Sequence, residues 1–192
     1  MKEALIIFIR NPVLGKVKTR LAATIGNERA LAVYTFLLAH TKSITENLPF
    51  SKYVFYSDEI NTDDLWNGYQ KKLQCGNNLG ERMQHAFKYL FKAGYQHIGI
   101  IGSDCYALDE RVIMEGFKQM ETNEVTIGPA TDGGYYFLGM EGSFKNLFQQ
   151  ISWGSSNVFE TTLEAVKSQQ LSFHLLPMLQ DVDEEKDITF HY

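Results

Sequence analysis

Hydrophobic positions along this chain follow two periods. Two near-continuous apolar runs, ALIIFI at Ala4–Ile9 and HIGIIG at His97–Gly102, read as strands of a parallel sheet covered on both faces. Shorter strand candidates are KYVFYS (52–57), KLQC (72–75), EVTIGPA (124–130), YYFLGM (135–140) and SFHLLP (172–177). Between them the period lengthens to that of a helix. Ala30, Val33, Tyr34, Leu37 and Leu38 share one face, as do Met83, Ala86, Phe87, Leu90 and Phe91, with Gly94 as a stop. Ile113, Gly116, Phe117 and Met120 mark a third face, and a further helix starts near Asn157. A short helical piece is expected around TDDLWNGY (62–69).

Strand–helix–strand alternation with short connections predicts a three-layer α/β/α sandwich with a mostly parallel central sheet. No repeat, low-complexity tract or linker interrupts it, so residues 1–192 are expected to form a single domain.

Composition narrows the classes of function. Hydrophobic residues make up 44% and charged residues 21%, the profile of a globular protein. A formal net charge of −5 argues against a general nucleic-acid binder. Charge is uneven, however: Lys16, Lys18 and Arg20 cluster early, and DVDEEKD (181–187) is acidic. The two cysteines, Cys75 and Cys105, have neither disulfide nor zinc spacing and suit a reducing cytosol. Cys105 beside Asp104 is read as a small buried residue before a reactive thiol. ALIIFI is too short to span a bilayer, so a cytoplasmic protein without a membrane span is expected. The five histidines show no metal spacing.

In open sheets of this class, ligands sit outside the carboxyl ends of the strands. Three chemically loaded segments fall there or in adjoining turns: RNPVLGKVKTR (10–20), GSDC (102–105) and TDGG (131–134). In the first, Pro12 and Gly15 bend the chain, Lys16 and Lys18 supply cations, and Thr19-Arg20 open a helix. That is a natural anion site, with Arg20 gripping oxygens bidentately and Lys18 acting as a point charge. It lacks the Walker A pattern, and a solvated basic turn is the alternative.

Asp104 could hold a hard cation such as Mg²⁺, or it could cap the following helix; Asp109 is the better cap, which leaves Asp104 free. Asp132, before Gly133 and Gly134, fits a plain turn but also a backbone open to close ligand approach. Asp181 and Asp183 read as an exposed acidic tail, or as a further ligand pair. Alternation points Tyr135 or Tyr136 toward this turn.

Six ordered segments carry a resemblance: FIRNPVLGKVKTRLA (8–22), NNLGERMQHAF (77–87), IGSDCYAL (101–108), IGPATDGGYYFLG (127–139), ISWGSSNVFETT (151–162) and DVDEEKD (181–187). Together they resemble the bacterial glycosyltransferase family named for its association with radical-SAM and selenoprotein domains. That family belongs to the nucleotide-diphospho-sugar transferase superfamily of GT-A-like fold, which includes 2-phospholactate and molybdenum-cofactor guanylyltransferases. The resemblance spans nearly the whole chain.

The resemblance implies a metal-dependent transferase with a nucleotide or nucleotide-sugar donor and a small-molecule acceptor. Lys18 and Arg20 would hold the nucleotide phosphates, with Arg10 and Gly15 in the same loop. Asp104 would take the role of the metal-binding carboxylate beside Ser103, with Asp132 as its partner for Mg²⁺ or Mn²⁺. Gly133, Gly134 and Tyr135 would shape the donor or acceptor pocket. Gly80 and Arg82 would lie near the nucleotide, and Trp153 and Ser155 near an anion or acceptor. Lys18, Asp104 and Asp132 are the residues expected to carry catalysis.

The sequence departs from the family pattern in three places: Asn78 replaces an Asp, Tyr106 stands at a usual Pro, and WGSSN (153–157) replaces WST. Asn157 with Glu160 is expected to cap the next helix. Nucleotidyl transfer from an NTP to a phosphorylated acceptor, and a non-catalytic nucleotide-binding module, are the alternative readings.

Overall fold

A computed structural model describes residues 2–144, 147–149 and 151–192. Seven strands build one sheet: β1 (Glu3–Ile9), β2 (Ser51–Tyr56), β3 (Gln70–Leu73), β4 (His97–Ile101), β5 (Val125–Pro129), β6 (Tyr135–Met140) and β7 (Phe173–Leu175). Their order is β3-β2-β1-β4-β6-β5-β7, with β6 antiparallel to β4 and β5 and the remaining neighbours parallel. The helices are α1 (Thr19–Ile25), α2 (Asn27–Thr45), α3 (Leu79–Lys92), α4 (Glu110–Gln119) and α5 (Val158–Ser168). The predicted α/β sandwich with a mostly parallel sheet is therefore what the chain adopts.

Alternate side chains of β1 enter different cores, as the two-residue period of a strand requires. Leu5, Ile7 and Ile9 join one cluster with Tyr34, Val54 and Phe137, whereas Ala4 and Ile6 join the other with Met83, Phe87 and Leu90. That double burial explains the unbroken apolar runs of β1 and β4. Edge strand β3 carries Lys71 and Lys72 and is not fully buried, a pattern that discourages further strand pairing.

Two expectations fail for local reasons. Residues 62–69 form turns and bends, not a helix. Asp64 captures the Trp66 N–H at 3.0 Å, the Lys71 ammonium at 2.8 Å and the Tyr56 hydroxyl at 2.8 Å. Side-chain bonds to the backbone compete with the helical ladder there. The third strand begins at Gln70, two residues earlier than KLQC suggested.

The chain runs from β1 outward through β2 and β3, then returns to place β4 on the other side of β1. This reversal puts a topological switch between β1 and β4, so the loops leaving their carboxyl ends diverge and leave a crevice. No helix among the described residues is long and apolar enough to cross a membrane.

Candidate functional site

The crevice is a cleft of about 780 Å³, within the range of small-molecule sites. The loop after β1 forms one wall and brings in Arg10, Lys16, Lys18 and Arg20. Lys18 stands at the N-terminus of α1 in a left-handed conformation, φ 47° and ψ 46°. For a non-glycine residue that geometry costs on the order of 1–2 kcal/mol. It turns the Lys18 side chain inward, where it is only 6% exposed.

The lysine meets carboxylates from two other segments. Its Nζ lies 3.1 Å from Asp104 Oδ1, beyond β4, and 3.3 Å from Asp183 Oδ1, near the chain's end. Arg20 Nη2 reaches the other oxygen of Asp183 at 3.1 Å. Burial alone would lower the lysine's pKa; the two aspartates more than offset this and raise it, so Lys18 stays charged.

Tyr34 of α2 ties the two loops together. Its hydroxyl accepts from the Arg10 N–H at 2.8 Å, donates to the Arg10 carbonyl at 3.1 Å, and lies 3.2 Å from Ser103 Oγ. Burial first, then the Asp104 charge, raises its pKa, which keeps it a donor. Asn11 fastens the same loop to the end of β2: its side-chain amide donates to the Glu59 carbonyl at 2.8 Å, and its carbonyl accepts the Asp58 N–H at 3.1 Å.

The acidic tail folds back into the cleft. Thr131 N–H donates to the Leu179 carbonyl at 3.0 Å and Val182 N–H to the Asp104 carbonyl at 2.9 Å, so residues 179–182 bridge the ends of β5 and β4. Asp181 thereby lines the cleft. Burial, then the charges of Asp104 and Asp132, push its carboxyl up to about 7 against the opposing pull of Lys18. Burial and the Asp181 charge push the Cys105 thiol up to about 12, so it is a small buried residue and not a nucleophile at neutral pH.

Of the two aspartates after β4, Asp109 is the helix cap, as the sequence suggested. It accepts the Val112 N–H at 2.9 Å at the start of α4, and that bond and then Arg111 hold its carboxyl below the usual range. Asp104 leaves 45% of its side chain exposed toward the cleft.

The other predicted residues separate into two groups. Ser103, Tyr135 and Arg82 line the cleft, with Arg82 Nε donating to the Gly76 carbonyl at 3.1 Å. Gly15, at φ 73°, shapes the first loop without lining the cleft. Asp132, Gly133 and Gly134 do not line the cleft; their turn is closed by Asp132 Oδ1, which accepts the Gly134 N–H at 2.8 Å. A Cβ on Gly133 would run into the Ser156 carbonyl, and the Gly133 carbonyl accepts the Phe159 N–H at 2.8 Å. Gly80 and Trp153 pack directly on each other, since a Cβ on Gly80 would overlap the indole. Ser155 bonds within its own loop, donating to the Ser152 carbonyl at 2.8 Å. Asn157 makes no side-chain cap on α5; the loop before it is drawn instead onto the Asp132 turn.

The departures from the family pattern also find places. Asn78 caps α3, its carbonyl accepting the Glu81 N–H at 3.0 Å, a task an aspartate could perform equally. Tyr106 turns away from the cleft into an aromatic group with Phe36, His40 and Phe190.

Sequence reasoning did not single out Tyr34 or Asn11 and gave Asp181 and Asp183 second rank. Only the spacing in DVD hinted at the last two. Tyr34 carries no local signal at all, because it also fits the apolar face of α2.

Among the described residues no group of three His, Cys, Asp or Glu converges on one point as a ready cation cage. The donor set fits a cation that keeps most of its coordination for ligand oxygens: Asp104 is accessible, and Asp181 is driven toward protonation by burial first and then by the charges of Asp104 and Asp132.

Comparison with known proteins accords with this geometry. A structure from Desulfovibrio desulfuricans G20, provisionally described as a nucleotide-diphospho-sugar transferase, superposes with a TM-score of 0.89 at 30% identity, covering 96% of this chain and 84% of that one. A cytidylyltransferase from Leptospira borgpetersenii serovar Hardjo-bovis gives a TM-score of 0.61 at 15% identity, covering 97% and 83%. A 4-diphosphocytidyl-2C-methyl-D-erythritol synthase from Anaerococcus prevotii DSM 20548 gives 0.60 at 8%, covering 97% and 92%. The last two show likeness of fold alone. No curated protein matches the sequence. The family model for an uncharacterized protein conserved in bacteria (DUF2064) matches residues 41–155, and this chain, built on the nucleotide-diphospho-sugar transferase fold, belongs to that family.

Proposed function

We propose that this protein is a metal-dependent transferase that uses a nucleotide-sugar donor. The observation that carries the reading is the meeting of Lys18 with Asp104 at the switch between β1 and β4, with Arg20 beside them on Asp183. Buried cationic charge and an accessible carboxylate, side by side at strand ends, suit a diphosphate with a bound cation.

In this reading Lys18 and Arg20 bind the donor's phosphates, and Arg10 and Arg82 add positive charge along the cleft. Tyr34 fixes the first loop relative to Ser103, so the cations are oriented before the ligand arrives. Mg²⁺ or Mn²⁺ held by Asp104 would supply further positive charge against the departing phosphate. Lys18, already ionised and shielded from water, would stabilise that same charge.

Nucleotidyl transfer is the second reading. The cytidylyltransferase and the cytidyl-erythritol synthase share the scaffold, and an in-line displacement at phosphorus would use the same cations. Release of a nucleoside diphosphate in the presence of an acceptor supports the first reading; release of pyrophosphate from an NTP supports the second.

A thermal-shift panel of nucleotides and nucleotide sugars, with and without Mn²⁺, tests both. Stabilisation by at least one compound, dependent on Mn²⁺ and lost in Asp104→Ala, is expected. Absence of any shift, or equal shifts in the two proteins, would overturn the metal–nucleotide reading.

A further inference from the structure

The segment after β7 puts an anion where the cleft would receive one. Asp183 spans the two cations of the first loop with one oxygen each: Oδ1 lies 3.3 Å from Lys18 Nζ and Oδ2 lies 3.1 Å from Arg20 Nη2. A phosphate group bridging an ammonium and a guanidinium through separate oxygens would make the same contacts. Lys18 is buried and Arg20 is 71% exposed, so Arg20 is the open side of this pair. A ligand phosphate that takes both cations has to remove Asp183 from them.

We propose that Asp183 is an internal counter-anion that occupies the phosphate position and is displaced by the donor's phosphates; this rests on the nucleotide reading of the same cleft. The anchors of the segment lie beyond the cations. Asp187 accepts the N–H groups of Asp183 and Glu184 at 3.0 and 2.8 Å. Farther on, Phe190 stacks on Phe36 with ring centres 4.8 Å apart and packs against Tyr106 at 4.2 Å. The Asp183 carboxylate can therefore leave Lys18 and Arg20 while the backbone stays attached. The contact also selects among ligands: an anion must offer at least two oxygens and more charge than a carboxylate, which favours diphosphates over simple monoanions.

Calorimetric titration with inorganic pyrophosphate, in EDTA at low ionic strength, tests the proposal on the full chain. Asp183→Asn is expected to bind pyrophosphate about three- to tenfold tighter than wild type, the scale of a partly exposed ion pair removed from competition. Phe190→Ala loosens the anchor without touching the cations and is expected to tighten binding by a smaller factor, which decides the matter should Asp183→Asn fail to fold. Binding that is unchanged or weaker in the folded variants would mean that Asp183 orients Lys18 for the ligand, and would overturn the proposal. If wild type responds to nucleotides with Mn²⁺ yet neither variant tightens, only this inference falls. If wild type and both variants bind neither pyrophosphate nor any nucleotide, the phosphate reading of the cleft falls with it.

Discussion

Asp104 and Asp132 stand in short acidic turns that look alike in the sequence, and the structure gives them different surroundings. Asp104 faces Lys18 at 3.1 Å and leaves much of its side chain open to the cleft. Asp132 spends one oxygen on the Gly134 N–H, and its turn is packed against the loop before α5. One turn is organised around charge, the other around backbone packing. The lesson is that an acidic residue at a strand end acquires chemistry from what the topology brings opposite it, here a lysine from the loop after β1.

The largest expected effect breaks the packed turn. Gly133 has φ 88° and lies against the Ser156 carbonyl, so Gly133→Ala combines a left-handed alanine with a backbone clash. A loss of about 3 kcal/mol is expected in urea denaturation, without removing a charged group. Asp104→Ala tests the other turn: it is expected to weaken Mn²⁺-dependent nucleotide binding about 100-fold while the protein still melts cooperatively. Should Gly133→Ala leave stability unchanged, or Asp104→Ala leave binding unchanged, the contrast between the turns fails.

Much of this contrast was legible in part. Apolar runs revealed β1 and β4 because both faces of those strands are buried, and the position of the basic loop after β1 followed from that. Asp109 could be separated from Asp104 because an N-cap has a fixed place before a periodic helix. What stayed hidden was long-range. Asp183 lies 165 positions from Lys18 in the chain, and no local period reports that they meet. Tyr34 looks like a core residue in any helical pattern, yet its hydroxyl spans Arg10 and Ser103. The turns at 62–69 were missed because Asp64 organises them with its side chain, which apolar spacing does not record.

A middle-sized effect concerns pH and sharpens the electrostatic half of the contrast. The Asp181 carboxyl is pushed up to about 7 in the folded protein, well above an ordinary unfolded aspartate. Between about pH 4 and 7 the folded state therefore binds more protons than the unfolded state, and this residue's contribution to stability falls as pH rises. Asp181→Asn removes that dependence. Urea denaturation at pH 5 and pH 8 is expected to show this residue's loss of about 2–3 kcal/mol in wild type and not in the variant. A difference of equal size in the two proteins would mean that burial and the Asp104 and Asp132 charges do not hold the Asp181 carboxyl up in solution.

The smallest expected effect is the most discriminating between the turns. Asp132→Asn keeps a side-chain carbonyl in place to accept the Gly134 N–H, so the turn retains its bond and loses only charge. Stability is expected to stay within about 0.5 kcal/mol of wild type. Because Asp132 acts on Asp181 through its charge, removing that charge is expected to bring the Asp181 titration, followed by carboxyl NMR shifts, below about 7. Nucleotide binding with Mn²⁺ should weaken less than about threefold, against about 100-fold for Asp104→Ala. A loss as large as that of Asp104→Ala would instead make the two carboxylates partners at one cation, and the two turns would then be halves of a single site.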